Sequence, residues 1–244
     1  MLWVPMLSTP SGSTLTAKNW HSIGVSVVSY DLAALLIKPG IDVLMRFSDL
    51  NHYVGWSEKI ILQATLPAPD RSGNYLLRSP YDGSRLSFTA KEILEVIAWL
   101  KPNAVLLPQG IDFEMVMDKL PKSIFMYYAP ADAPNHLAGH GVYVKSSAWL
   151  EEKNHGLHGI ECCVYGPASQ TQGKQLQDQG IKMLISDTPA EDACQGTLYT
   201  PHCMDEIQQK VFSQYMPYLN YLRVSTPLLY ARYAVIYNYL MALK

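Results

Sequence analysis

Residues 89–107 read TAKEILEVIAWLKPNAVLL, and two kinds of element meet within them. Thr89 followed by Glu92 is the capping-box pattern, in which side chain and backbone at a helix start satisfy each other's orphan hydrogen-bond groups. Ile93, Val96, Ile97 and Leu100 then recur at helical spacing on one face. After Pro102 the run Ala104–Leu107 is apolar throughout, without the alternation of a sheet that has one face in water. A strand of that kind is buried on both faces, as in a parallel sheet covered by helices. The stretch therefore predicts a helix leading into a buried parallel strand.

Working outward, similar short apolar runs lie at Leu2–Met6, Val25–Ser29, Ile60–Gln63, Ile124–Tyr128, Val142–Val144, Ile160–Tyr165 and Ile181–Ile185. With Ala104–Leu107 they make eight candidate strands alternating with amphipathic stretches, which suits an α/β fold of the (β/α)₈ barrel type. Thr16 can cap a short helix carrying Trp20 and Ile23, with Gly24 ending it in a left-handed conformation. Near the end, Met204, Ile207, Val211 and Tyr215 repeat at helical spacing. Thr226 can cap a last helix with Pro227 at its first position, where the missing N–H costs nothing, and Leu229, Tyr233, Ile236 and Leu240 line its face. The expected organisation is a barrel over 1–203 and a helical segment over 204–244. The Pro/Gly-rich loops Pro67–Gly73 and Ala129–Gly141 are expected to be the most mobile parts.

Composition narrows the function classes. The chain has 244 residues, 48% of them hydrophobic, enough for one substantial core. Its formal charge of −2, with no long run of like charges, argues against an autonomous nucleic-acid binder, since phosphate neutralisation supplies most non-specific affinity. The four cysteines form no CxxC pair, which argues against a disulfide framework or a cysteine-rich zinc site. The N-terminus lacks the basic and apolar regions of a signal peptide, and no stretch approaches the ~18 apolar residues that cross a membrane. A cytoplasmic, reducing location without membrane association is expected.

Several blocks resemble the tRNA-guanine transglycosylase (queuine tRNA-ribosyltransferase) family. From Val4, VPMLSTPSGSTLTAKNWHSIGVSVVSYDLAALLIKPG is similar, without a gap, to the family's opening MPVGTxGxVKxLTPxxLxxxGxxIxLxNTYHLxLRPG. Gly55-Trp56 matches its MGW, and RSPYDGSRLSFTAKEILEVI from Arg78 resembles RSPxDGSxxxLTPExSxxIQ, the most specific stretch. GIKMLISDTPAEDACQGTLYT, from Gly180 to Thr200, looks like GxDMFDCVxPTRxARxGxxYT, and the final LLYARYAVIYNYL resembles ILxxRLxTxHNLxYY. The resemblance covers most of the chain in the right order. It implies a (β/α)₈ barrel with a C-terminal zinc-binding, helical segment, and exchange of guanine in tRNA for a 7-deazaguanine.

The same alignment implies a dismantled active site. Ile185 stands at the position of the family's nucleophilic carboxylate and has no lone pair to donate. Gln63 stands at the base position, with Ala64, Thr65 and Leu66 in place of Ser-Gly-Gly; its amide does not titrate near neutral pH. Gln109 replaces a base-reading aspartate, and Gly166-Pro167 replaces a glycine pair, removing one backbone donor. Glu191 stands where the family has an arginine. Tyr237 takes the zinc-binding histidine's place and no cysteine follows Cys203, so neither zinc nor another cofactor is expected. His155 and His158 invite a metal reading, but KNHGLHG reads more simply as a surface loop. Between Gln109 and the next strand the chain is much shorter than in the family, which implies that a barrel helix and pocket loops are trimmed.

Three functions follow as expectations. The first is a non-catalytic subunit or regulator of an authentic transglycosylase, because the family works as dimers in which one subunit catalyses and the other helps position tRNA; tRNA would then be met only through the partner. The second is a binding protein for a deazapurine or other small molecule, with Gln63, Gln109, Tyr128, Tyr165 and Gly166 as candidates at the strand ends, although each side chain has the plainer reading of filling a collapsed pocket. The third is an enzyme with new chemistry built on Asp187, Glu191 or Asp192. The C-terminal tyrosines Tyr215, Tyr218, Tyr221, Tyr230, Tyr233, Tyr237 and Tyr239 suit a subunit contact, so a homodimer or a heterodimer with a catalytic homologue is expected.

Overall fold

In a computed structural model, which describes residues 1–9, 17–22, 25–134, 139–151, 160–166, 168 and 170–186, all eight apolar runs become parallel strands, with ends shifted by no more than two residues. In chain order the elements are β1 (Leu2–Pro5), α1 (Ala17–Ser22), β2 (Val27–Asp31), α2 (Leu32–Ile37), α3 (Ile41–Leu44), α4 (Leu50–Val54) and β3 (Lys59–Gln63). Then come β4 (Asn74–Arg78), β5 (Arg85–Thr89), α5 (Ala90–Leu100), β6 (Ala104–Leu106), α6 (Phe113–Lys119) and β7 (Phe125–Tyr128). The last are β8 (Gly141–Lys145), α7 (Ser146–Glu151), β9 (Glu161–Tyr165), α8 (Gln170–Asp178) and β10 (Met183–Ser186). The proposed cap Thr16, Gly24, the loop of His155 and His158, the acids from Asp187 onward and the whole segment 204–244 lie outside the described residues.

The strands run in the order β2-β3-β6-β7-β8-β9-β10-β1, every neighbouring pair parallel. Between β1 and β2 there is one bridge, Met6 with Ser29, and the Leu7 amide donates to Ser29 O at 2.8 Å. The sheet is thus a nearly closed, TIM-like α/β barrel. No helix among the described residues is long and apolar enough to cross a membrane.

Local chemistry explains the elements. Thr89 Oγ1 accepts from the Glu92 amide at 3.2 Å and Glu92 Oε2 accepts from the Thr89 amide at 2.8 Å, so the capping box is complete. Ile93, Leu94, Val96, Ile97 and Leu100 bury one face of α5; each such side chain contributes about 1.5–3 kcal/mol. Besides the helices α2, α3, α4, α7 and α8, which the sequence pattern did not delimit, two further features were not read from the sequence. An antiparallel hairpin, β4 with β5, stands outside the barrel and feeds the α5 cap. A helix, α6, fills part of the connection where trimming was expected: Asp112 Oδ1 accepts from the Met115 amide at 2.8 Å and starts it, and Val116 buries it. In the β7–β8 connection, by contrast, the described residues hold only a 3₁₀ turn, Pro130–Asp132.

Strand alternation divides the core into two shells. Val4, Ile61, Leu106, Tyr127, Tyr143, Cys163 and Ile185 form the barrel interior, with Ala104 and Ala129. The opposite faces, among them Val28, Ile60, Leu62, Val105, Met126 and Val164, meet the helices through residues such as Leu35, Ile93, Ile97, Val116 and Leu176. Gly141 makes the interior packing possible. A Cβ there would lie 2.8 Å from the Tyr127 ring and 2.6 Å from Glu161 O, and the Tyr127 hydroxyl donates to Glu161 Oε1 at 2.8 Å. Both obstacles are fixed, one by the β8–β9 ladder and one by its own hydrogen bond. Gly141→Ala is expected to lower stability by about 1–3 kcal/mol, since overpacking a dense core forces backbone shifts. Urea unfolding checks this, and an unchanged midpoint would show that Tyr127 moves freely.

Candidate functional site at the barrel mouth

Barrel enzymes carry their chemistry on the C-terminal ends of the strands. Here that end is largely filled. Ile185, on β10, is fully buried beside Val4, Ile61 and Tyr143 in the interior. Gln63, at the end of β3, is 2% exposed, and its Nε2 donates to Ser29 Oγ at 3.0 Å. Ser29 Oγ in turn donates to Pro5 O at 3.3 Å. The Gln63 side chain is therefore engaged in the seam where the barrel closes. The segment that follows it is also drawn inward: Ala64 and Leu66 are buried, and the Ala64 amide donates to Leu106 O.

Tyrosines and loops cover the rest. The Tyr143 hydroxyl donates to Leu107 O at 2.7 Å, and Tyr165 meets the Tyr143 ring edge-on at 5.6 Å. Burial pushes both phenols up, Tyr143 strongly, so both are neutral donors at physiological pH. Three connections are knitted above them. The Gly110 amide donates to Asp132 Oδ2 at 2.9 Å, the Tyr75 hydroxyl donates to Gln109 O at 3.0 Å, and Pro69 lies against Gly110. The loop around Ala129 thus takes part in a hydrogen-bonded cover through Asp132, with Pro69 of the loop Pro67–Gly73 packed against it, which their Pro/Gly content alone did not reveal.

The five candidate residues do not converge. Gln63 and Tyr165 belong to the interior side of the barrel. The Gly166 amide donates to Ile185 O at 2.9 Å, and a Cβ at Gly166 would lie 3.2 Å from Ser146 Oγ. Gln109 has an exposed side chain. Tyr128 faces the helices, between Phe113 of α6 and the His140 ring, with its phenol pushed up by burial to about 12. Cys162 and Cys163 are free thiols raised by burial, the opposite of an activated nucleophile. No group of three or more His, Cys, Asp or Glu side chains among the described residues is placed to hold a metal ion.

An open cleft of about 890 Å³ lies beside the mouth, at the ends of β1 and β2. Its wall includes Tyr30, Asp31, Lys38, Tyr53, Trp56, Arg78 and Tyr81. These residues come from three stretches distant in sequence, so no local motif announces them. Asp31 Oδ1 caps α2 by accepting from the Ala33 amide at 2.9 Å, while burial raises the carboxyl above its usual range.

The polar seam gives a direct mutational test. Ser29→Ala removes the hydroxyl shared by Gln63 and Pro5 and leaves a buried donor and acceptor unpaired, which costs about 1–3 kcal/mol. Chemical denaturation should register that loss, whereas a change below about 0.5 kcal/mol, the range of ordinary surface substitutions, would mean that water or another group replaces the hydroxyl.

No protein-family model matches the chain, and no curated protein was found to match it. What the geometry itself establishes is a nearly closed, eight-stranded parallel barrel of TIM type whose mouth is occupied by its own side chains.

Proposed function

We propose that the chain is a non-catalytic relative of the tRNA-guanine transglycosylases, serving as an accessory or regulatory subunit to an active transglycosylase. One observation carries this reading. Ile185 and Gln63, which align with the family's nucleophile and base, are buried in packing and in a structural hydrogen bond at the closed end of a barrel. A covalent exchange at ribose needs an open pocket and a carboxylate with a free lone pair, and these two positions offer neither. The collinear sequence blocks and the eight-stranded barrel support the relationship, and the family's dimeric habit supplies the role.

A second reading, a small-molecule binding protein, is favoured by the cleft beside β1 and β2. It differs from the first in needing no partner enzyme.

Two measurements test the preferred function together. Labelled guanine or a 7-deazaguanine should not enter tRNA when this protein is the only one present, and the protein should co-purify with a catalytic transglycosylase and alter its tRNA affinity or turnover. Exchange activity by this chain alone would overturn the non-catalytic assignment. Indifference to an active transglycosylase, in binding and in rate, would overturn the accessory role.

A further inference from the structure

The cleft beside the barrel mouth has a composition that selects its occupant. Its volume of about 890 Å³ is near the upper end of the range typical of small-molecule sites, about 300–1,000 Å³. Tyr30, Tyr53 and Tyr81 supply aromatic surface. Tyr81 is 73% exposed, so its ring is within reach of a ligand in the cleft.

Two cations stand on the same wall. Lys38 Nζ sits 5.2 Å from the centre of the Tyr81 ring, held by attraction to its face. The Arg78 guanidinium reaches over Gly83, whose Cβ would lie 3.7 Å from Nη2. Neither cation forms an ion pair with a described residue. Asp31, the one carboxylate among the described residues of the wall, is occupied in capping α2, and its burial disfavours the charged form. Among the described residues the cleft therefore presents unneutralised positive charge beside the exposed Tyr81 ring, with the Tyr30 phenol, held protonated by burial that raises it to about 12, in the same wall.

We propose that this cleft binds a small planar aromatic molecule carrying a phosphate or carboxylate, its ring against Tyr53 and Tyr81 and its anion on Lys38 and Arg78. Arginine suits either oxyanion through paired, charge-assisted hydrogen bonds, and the tyrosines provide stacking surface without demanding one ring system. The inference is independent of the transglycosylase reading, since it uses neither Ile185 nor Gln63 and places the ligand outside the barrel interior.

Titration calorimetry on the full chain tests it with four probes: adenosine 5′-monophosphate, 4-hydroxybenzoate, adenosine and inorganic phosphate. One or both of the probes that combine ring and anion should bind, at least about tenfold more tightly than adenosine or phosphate alone, because each half supplies part of the contact. The comparison of the nucleotide with 4-hydroxybenzoate shows which oxyanion is preferred. Replacing Lys38 and Arg78 together by alanine should weaken that binding by about tenfold or more. Both side chains are exposed, so the double variant should retain its melting temperature, and Lys91→Ala on α5 should bind as the parent does. Absence of binding by every probe at about 5 mM, phosphate alone binding as well as the nucleotide, or full affinity in the double variant would each overturn the proposal.

Discussion

Between β1 and β2 the sheet has almost no backbone ladder, so closure of the barrel falls to Ser29. Its carbonyl takes the Leu7 amide, while its hydroxyl stands between Gln63 Nε2 and Pro5 O. The neighbouring Asp31 amide donates to Ser8 Oγ at 2.9 Å, a second side-chain stitch across the same gap. In a low-dielectric interior such bonds are strong when satisfied and costly when broken. The seam consequently fixes where Gln63 points, and that decides what the end of β3 can do. A glutamine committed to closing the barrel is not a residue waiting for a substrate.

The same constraint organises the interior. With the barrel closed, its inside must be filled at the density of a core, and Tyr127, Tyr143 and Ile185 supply much of the volume. The two tyrosine hydroxyls find partners at opposite ends, Tyr127 at Glu161 and Tyr143 at Leu107, so bulky amphipathic rings are buried without an orphaned polar group. Space for a ligand then opens to the side, where α2, α4 and the β4–β5 hairpin surround the ends of β1 and β2. Fold and candidate site are linked in this way: a packed mouth displaces the available cleft onto the rim.

Much of the fold was legible because its signals are local. The capping box of Thr89 and Glu92 and the unalternating run at Ala104–Leu107 report their own structure through hydrogen-bond demand and burial. The hairpin escaped because each strand offers only a short alternation: Tyr75 and Leu77 are buried on β4 while Leu76 is exposed, and on β5 Leu86 and Phe88 are only half-buried. Helix α6 escaped because a single well-buried residue, Val116, anchors it. Site residues were harder for a different reason. Tyr128 lies at a strand end, as expected, yet strand parity turns its ring toward α6, and only the register of β7 against β6 settles which side it faces. Lys38, Tyr53 and Arg78 meet only in three dimensions, and nothing in their separate stretches marks them as neighbours.

The end of β3 is a dry structural position unsuited to a carboxylate. Gln63→Glu tests this most directly, by measuring the variant's stability relative to the parent from pH 4 to pH 8. A glutamic acid at that position can donate to Ser29 Oγ only while protonated, and burial raises its pKa above the unfolded value of about 4.3. The native state then binds more protons than the unfolded one, so relative stability should be near the parent's at pH 4 and fall as pH rises through the raised pKa. A difference that stays flat across this range, with the introduced carboxylate ionised and tolerated, would mean that the barrel mouth is wet and open and would contradict the account.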